Sequence, residues 1–467
     1  MCANEIPQVP LHYAEQRQKA HLEELMAFLR IPSVSTQPER TEDVRAAAEW
    51  VAEALRRAGL ENVRVIATQR HPLVYADWLQ AGPDAPTVLI YGHYDVQPAE
   101  PLEAWETPPF EATIRDDYVY GRGTSDDKGQ LYIHVKAVEA YLQSVGRLPV
   151  NVKFILEGEE ESGGESLAAF IPEHEDLLDA DFALISDTAM SAVGQPSIIY
   201  GLRGSVYVFL DVTGPGRDLH SGSYGGGIDN PINALAHIIA KLKDEKGHIL
   251  VPGFYDNVRP LDEEERALLA KYPLDEAAWL AETGAPGTWG EPEYSLLERL
   301  GARPTLDVTG IIGGYTGPGG KTVLPAHVHA KLSMRLVPNQ DPARIVTLFR
   351  RYVESVAPAT VRVQVKSRRG TPASVVNLKM PAIQAAAKAY ADVFGREPVY
   401  RRVGGSIPVV GHLQRQLGLE TVLMGFGLPG DRIHAPNERF YLPNFYQGIA
   451  TSIHFLAKVA ELEEEEG

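Results

Sequence analysis

Apolar residues recur at every third or fourth position over 21–29 (Leu22, Leu25, Met26, Leu29) and over 44–55 (Val44, Ala47, Val51, Ala54, Leu55), which predicts two amphipathic helices. Gly59 stops the second as a C-terminal cap. Short apolar runs follow at 63–67, 74–78 and 87–91, then a helical period over 130–143, then further runs at 152–156 and 182–185. Strands alternating with helices predict a three-layer α/β domain. From Gly204 the texture changes to strand 206–212, helix 231–242, strands 307–312 and 328–337, helix 342–356 and strand 361–365. That βαββαβ order predicts a ferredoxin-like α+β domain inserted into the first. Inside it, 243–303 is rich in charge, Pro and Gly and reads as an elaboration between the first helix and the second strand. A helical period at 382–393, an apolar run at 421–426 and a long helix at 445–462 return to the first domain. The expected division is therefore 1–205 with 373–467, and 206–372.

The 467 residues suffice for two such domains, each with its own core. A net charge of −18 argues against nucleic acid or an anionic membrane as partner, since both recruit clustered Lys and Arg. Part of that charge is the terminal run 463–466, expected to be a solvated end. The single cysteine, Cys2, excludes an internal disulfide and any cysteine-based zinc cluster, and fits a reducing cytoplasm. There is no charged-then-apolar leader, and no run approaches the ~20 apolar residues that span a bilayer. The stretch 314–322 has the look of a phosphate-binding loop, but Tyr315 stands where that motif requires its first glycine. A nucleotide is set aside.

Chemistry gathers where the apolar runs end. His93 and Asp95 leave the 87–91 run two residues apart, hence on one face of an extended segment. The triplet Glu159-Glu160-Glu161 leaves the 152–156 run, and Asp187 leaves 182–185. Adjacent carboxylates repel unless cations sit among them or one holds a proton. His93, Asp126, one glutamate of the triplet, Asp187 and His434 in a late loop form a two-histidine, three-carboxylate set that suits two zinc-like cations sharing one bridging carboxylate.

Taken together, Gly92-His93-Tyr94-Asp95-Val96-Gln97-Pro98, the run 121–129, Glu160-Glu161-Ser162-Gly163, Asp187, His220-Ser221-Gly222, Thr322-Val323-Leu324-Pro325, Arg335-Leu336-Val337-Pro338, Gly404-Gly405-Ser406-Ile407-Pro408 and His434-Ala435-Pro436-Asn437-Glu438 resemble the dinuclear zinc peptidases. That family includes carnosine dipeptidase, glutamate carboxypeptidase and the aminoacylases, and the dipeptidase branch is the most similar. The resemblance implies a three-layer zinc-peptidase catalytic domain with an inserted lid and dimerisation domain. It implies His93 and Asp187 on one metal, Glu161 and His434 on the other, Asp126 bridging, and Asp95 orienting His93. Ser162-Gly163 sets the register that makes Glu160 the general base acting on a metal-bridging water, although the triplet leaves a one-residue ambiguity. The Asp126–Asp127 bond is expected to be cis.

The resemblance also implies that His220 reaches the active site of the other subunit of a homodimer and stabilises the oxyanion. Arg335 would grip the substrate's terminal carboxylate, with Thr322 and Ser406 adding hydrogen bonds. One departure stands out: Arg368 occupies the place of a family histidine, an added cation that would favour acidic or carboxylate-terminal substrates. The implied activity is hydrolysis of dipeptides or short peptides with a free C-terminal carboxylate. A deacylase or desuccinylase of N-acyl amino acids is the alternative. The implied cofactor is two divalent ions, zinc first, with manganese or cobalt also accepted by such a donor set.

Overall fold

The computed structural model describes residues 7–368 and 370–462, so Cys2 and the acidic run 463–466 lie outside it. The strands of its two main sheets include, in chain order, β1 (Glu61–Ile66), β2 (Leu73–Trp78), β3 (Thr87–His93), β4 (Asn151–Glu157), β5 (Phe182–Ile185), β6 (Ser197–Leu202), β7 (Gly204–Thr213), β8 (Thr305–Gly313), β9 (His327–Leu336), β10 (Arg362–Ser367) and β11 (Thr421–Leu423), and two further short strands, Ser374–Val375 and Val399–Val403, pair with β6. The chain separates into two units, Met1–Tyr200 with Val376–Arg401 and Ile407–Gly467, and Gly201–Val375 with Arg402–Ser406.

In the first unit the strand order is β1-β2-β4-β3-β5-β11-β6. β3 runs parallel to β4 and β5, and β5 parallel to β11. β2, β4 and β5 are buried along their whole length, which is why they read as near-continuous apolar runs rather than alternating ones. Register does the positioning: His93 pairs with Glu157, and Tyr91 with both Ile155 and Ile185. Three parallel strands therefore end at one edge of the sheet, where open α/β sheets carry their sites. Between β3 and β4 the chain forms helix Lys128–Ser144, buried on every side from Lys128 to Tyr141. It packs against helices Gln8–Gln16, Thr41–Ala58 and Leu442–Ala460. The first of these was not expected from the sequence.

The second unit has strand order β8-β9-β7-β10, antiparallel throughout, with helices Pro231–Ala240 and Pro342–Val356. This is the ferredoxin-like arrangement that the βαββαβ pattern predicts. Alternation selects its core: Val206, Val208, Leu210 and Val212 of β7 face inward with Val328, Ala330, Leu332 and Met334 of β9. Asn230 and Asp341 each cap a helix through the side chain, with Pro at the first helical position. The elaboration is not irregular, for it contains helices Glu263–Ala270, Glu276–Thr283 and Leu296–Gly301. Among the described residues no helix is long and apolar enough to cross a membrane.

Candidate active site

His93, the last residue of β3, is fully buried, and its ring is fixed from one side. Nδ1 faces Asp95, 3.1 Å from the backbone oxygen and 3.3 Å from Oδ1, which leaves Nε2 turned toward Asp126. Asp95 does more than orient this ring. It accepts the Ser35 hydroxyl at 2.6 Å and the backbone N–H groups of Glu160 and Glu161 at 3.2 and 3.1 Å. One buried carboxylate thus ties the exit of β3 to that of β4.

The glutamate triplet separates by role. Glu159 turns away, taking the His71 N–H at 2.8 Å and the Ser166 hydroxyl at 2.6 Å, and serves as an internal anchor. Glu161 Oε2 accepts from Gln97 Nε2 at 2.7 Å, while its buried Oε1 has no hydrogen-bond partner and lies 3.2 Å from His434 Nε2. The two oxygens of Asp126 also divide, Oδ1 lying 3.0 Å from His93 Nε2 and Oδ2 2.9 Å from His434 Nε2. Asp187 Oδ2 approaches His93 Nε2 at 4.0 Å. Two groups that could hold a metal ion result, His93–Asp126–Asp187 and Asp126–Glu161–His434, with Asp126 common to both.

The electrostatics call for cations. Burial, then the neighbouring Asp126, pushes Asp187 up to about 7, and burial drives the Glu160 carboxyl far above its ordinary range. Burial acts on Asp126 in the same sense, but the imidazoles of His434 and His93 overcome it and hold that carboxyl well below the usual range. The carboxylates of Asp126 and Glu161 facing its ring push His434 up to about 10. Four carboxyls share this volume with two imidazoles, and the orphaned Glu161 oxygen points into it. A nitrogen-and-oxygen donor set of this composition fits two divalent ions.

Several supporting residues escaped the sequence reading. Glu438 accepts the Arg122 guanidinium at 2.6 Å and the backbone N–H groups of Gly123, Ser125 and Asp126 at 3.0–3.2 Å. Since it lies four residues after His434, it clamps the loop bearing one histidine to the loop bearing Asp126, where the Asp126–Asp127 bond is cis. His134 joins Ser186 at 2.7 Å to Ser452 at 3.0 Å, bracing the residue before Asp187, and burial pushes its imidazole down to about 3, so it is neutral. Its position in a helical apolar period gave no hint of this role.

The remaining expected groups lie in the second unit, at two places. Arg335 Nη1 donates to Ser406 Oγ at 3.0 Å, and Ser406 Oγ donates to the Arg203 carbonyl at 2.5 Å. His220 and Thr322 are exposed neighbours, for Leu219–His220 pairs with Val323–Leu324 and Thr322 takes the Ser221 N–H. Arg335 pairs with Ser205 and His327 with Thr213, so these two ends of β9 are eight residues, about 27 Å at ~3.4 Å per residue, apart, and Thr322 precedes the His327 end, next to the separate two-stranded sheet that holds His220. The structure thus does not join Thr322 to Arg335 and Ser406 within one chain. Arg368 is exposed over the Phe209 ring, four residues along β7 from Ser205, and is not brought to Arg335 either.

The profile of Peptidase family M20/M25/M40 matches residues 89–458. The human Beta-Ala-His dipeptidase is 34% identical over 396 residues, 84% of this chain and 78% of that protein. The Cys-Gly metallodipeptidase DUG1 of Saccharomyces cerevisiae is 30% identical over 458 residues, 94% of this chain and 95% of that protein. The crystal structure of an M20 family metallo-carboxypeptidase from Sulfolobus solfataricus superposes with a TM-score of 0.86 at 33% identity, covering 94% of this chain and 99% of that one.

Proposed function

The chain belongs to peptidase family M20/M25/M40 and is a metallopeptidase, and we propose that it hydrolyses dipeptides or short peptides that end in a free carboxylate. The observation that carries this reading is the pair of ligand groups sharing Asp126, with Glu160 on the segment that Asp95 fixes to His93. His93, Asp126 and Asp187 would hold one ion, and Asp126, Glu161 and His434 the other. Divalent ions there would supply Lewis acidity, lowering the pKa of the attacking water and polarising the scissile carbonyl. Glu160 takes the proton of that water and returns it to the departing amine nitrogen, so bond cleavage leaves a carboxylic acid and an amine. Its buried surroundings suit both halves of the task by raising its proton affinity. Arg335, held by Ser406, offers its fork to the terminal carboxylate.

We further propose zinc as the resident ion and the cytoplasm as the compartment, the latter on the strength of one cysteine in 467 residues. The dipeptidase names among relatives at 30% identity or more favour a peptide over an N-acyl amino acid. The deciding assay sets the zinc-loaded protein against dipeptides, their C-terminal amides, and N-acetyl and N-succinyl amino acids. Dipeptides are expected to be turned over, and their amides about 100-fold less well in kcat/KM. Faster turnover of an N-acyl amino acid than of every dipeptide overturns the reading.

The separation of His220 and Thr322 from Arg335 supports a homodimer whose sites are shared. Edge strand β8 exposes Ile311 and Ile312, one on each face of the strand, and Tyr224, Ile228 and Tyr315 add exposed apolar surface in the same unit. In the shared-site arrangement each chain lends His220 to its partner. Mixing His220→Ala chains with Glu160→Ala chains in equal amounts should therefore restore about a quarter of the parental activity, from the one intact site of each hybrid dimer. Absence of any recovery after subunit exchange would count against sharing.

A further inference from the structure

The segment 243–303 is not needed for the ferredoxin-like order, and two of its helices, Glu263–Ala270 and Leu296–Gly301, bury a glutamate beside a leucine. Glu265, Glu291 and Glu298 are 8%, 6% and 6% exposed, which is unusual for glutamates. Each is ion-paired: Glu291 grips Arg303 through two bonds of 2.6 and 2.7 Å, Glu298 meets Arg266 at 2.7 Å, and Glu265 joins Arg259 and Arg402. Buried pairs of this kind contribute little net stability, and their best-attested use is to fix a register.

One of the three reaches outside the segment. Arg402 opens the short stretch Arg402–Ser406, whose last residue receives Arg335. That stretch is pinned from several sides. The backbone carbonyl of Arg402 lies so close to Gly301 that a side chain there could not fit, and Gly404 is likewise closed off by the Arg203 guanidinium. Arg203 in turn donates to the Arg303 carbonyl at 3.3 Å, and its backbone N–H to the Gly405 carbonyl at 3.2 Å. Gly301 and Arg303, like Glu265, belong to the elaboration. Because the Ser406 hydroxyl spends its proton on the Arg203 carbonyl, its lone pair is fixed in direction, and Arg335 is aimed only while 404–406 stays where it is.

We propose that the elaboration 243–303 acts on substrate recognition through the buried Glu265–Arg402 pair, which makes Glu265 and Arg402 positioning residues for the Ser406–Arg335 grip. The inference rests on the reading of Arg335 and Ser406 as the group that binds the C-terminal carboxylate. Replacing Glu265 by Gln leaves the Arg402 charge buried beside an uncharged partner, and the turn that follows Arg402 shifts. The chemistry, which resides in other residues, should be untouched.

The test is steady-state kinetics on the zinc-loaded full chain with a dipeptide and its C-terminal amide, comparing the parent with Glu265→Gln, Glu265→Asp, Arg402→Lys and Arg335→Met. Glu265→Gln is expected to raise KM for the dipeptide about ten-fold with kcat within about two-fold, and to leave kcat/KM for the amide unchanged. Glu265→Asp should recover part of the loss, and Arg402→Lys should give the same split if Glu265→Gln does not fold. An equal loss on both substrates, or an unchanged dipeptide KM, overturns the proposal. If Arg335→Met leaves the dipeptide KM unaltered, the carboxylate reading itself falls. If that variant raises KM and the Glu265 and Arg402 variants do not, only the role of the elaboration falls.

Discussion

Glu160→Gln is expected to lower kcat by about 10³-fold while the protein still binds its metal ions. The substitution keeps the length and polarity of the side chain and removes its ability to accept and return a proton. The groups that could hold metal do not include Glu160, and its backbone N–H, which anchors the turn on Asp95, is unaffected. Metal content per chain, measured after gel filtration, should match the parent. The sign of the stability change is also fixed. Burial raises the Glu160 carboxyl above its unfolded value, so an ionised Glu160 costs folding free energy once the pH exceeds the ordinary carboxyl range. The neutral amide carries no such cost, and the metal-free variant should melt no lower than the metal-free parent at neutral pH. Retained turnover would remove Glu160 from the base role, and loss of metal would move it into the ligand set.

Asp126→Asn should be as damaging to activity by a different route. Asp126 is common to both ligand groups and directs one oxygen to each histidine, so its charge serves both positions at once. The amide is nearly isosteric but neutral, and one of its two ends is a donor facing an imidazole. Affinity at both positions is expected to fall by about 100-fold or more, since even outer partners of ligands cost 10–100-fold when removed. His434→Ala is the informative contrast, because it leaves His93, Asp126 and Asp187 intact and should weaken one position more than the other. Competition with a chelating dye reads this directly. Equal, parent-like affinity at both positions in Asp126→Asn would exclude a bridging role.

Much of this was legible because strands buried on both faces announce themselves. The runs that became β3, β4 and β5 placed His93, the glutamate triplet and Asp187 at one sheet edge without any three-dimensional information. The triplet itself could not be resolved, since three identical side chains differ only in what they touch. His71, distant in sequence, and Ser166, in the short helix Glu165–Phe170 that follows, are what claim Glu159. Gln97 and Glu438 stood inside the motifs, yet their partners are backbone amides and a carboxylate reached only after folding. The helices of the elaboration were signalled by Asp262, Asp275 and the Ser295–Glu298 capping box, and went unrecognised because their apolar period is too weak to mark a face. That Arg335 stands at the end of β9 remote from Thr322 follows from the extent of that one strand, whereas the contacts of Ser406 and Arg203 with Arg335 and the 402–406 turn arise only on folding.

The Glu438 clamp bears on any attempt to transplant this chemistry to another scaffold. Copying His93, Asp126, Glu161, Asp187 and His434 alone would copy the donors without the frame that spaces them. Three of the amides that Glu438 holds belong to the very loop that presents Asp126, and Arg122 neutralises it from the same loop. The smallest portable piece is therefore a pair of segments, 121–127 and 431–438, moved together. A designer who grafts one without the other should expect a loop that folds and an ion site that does not.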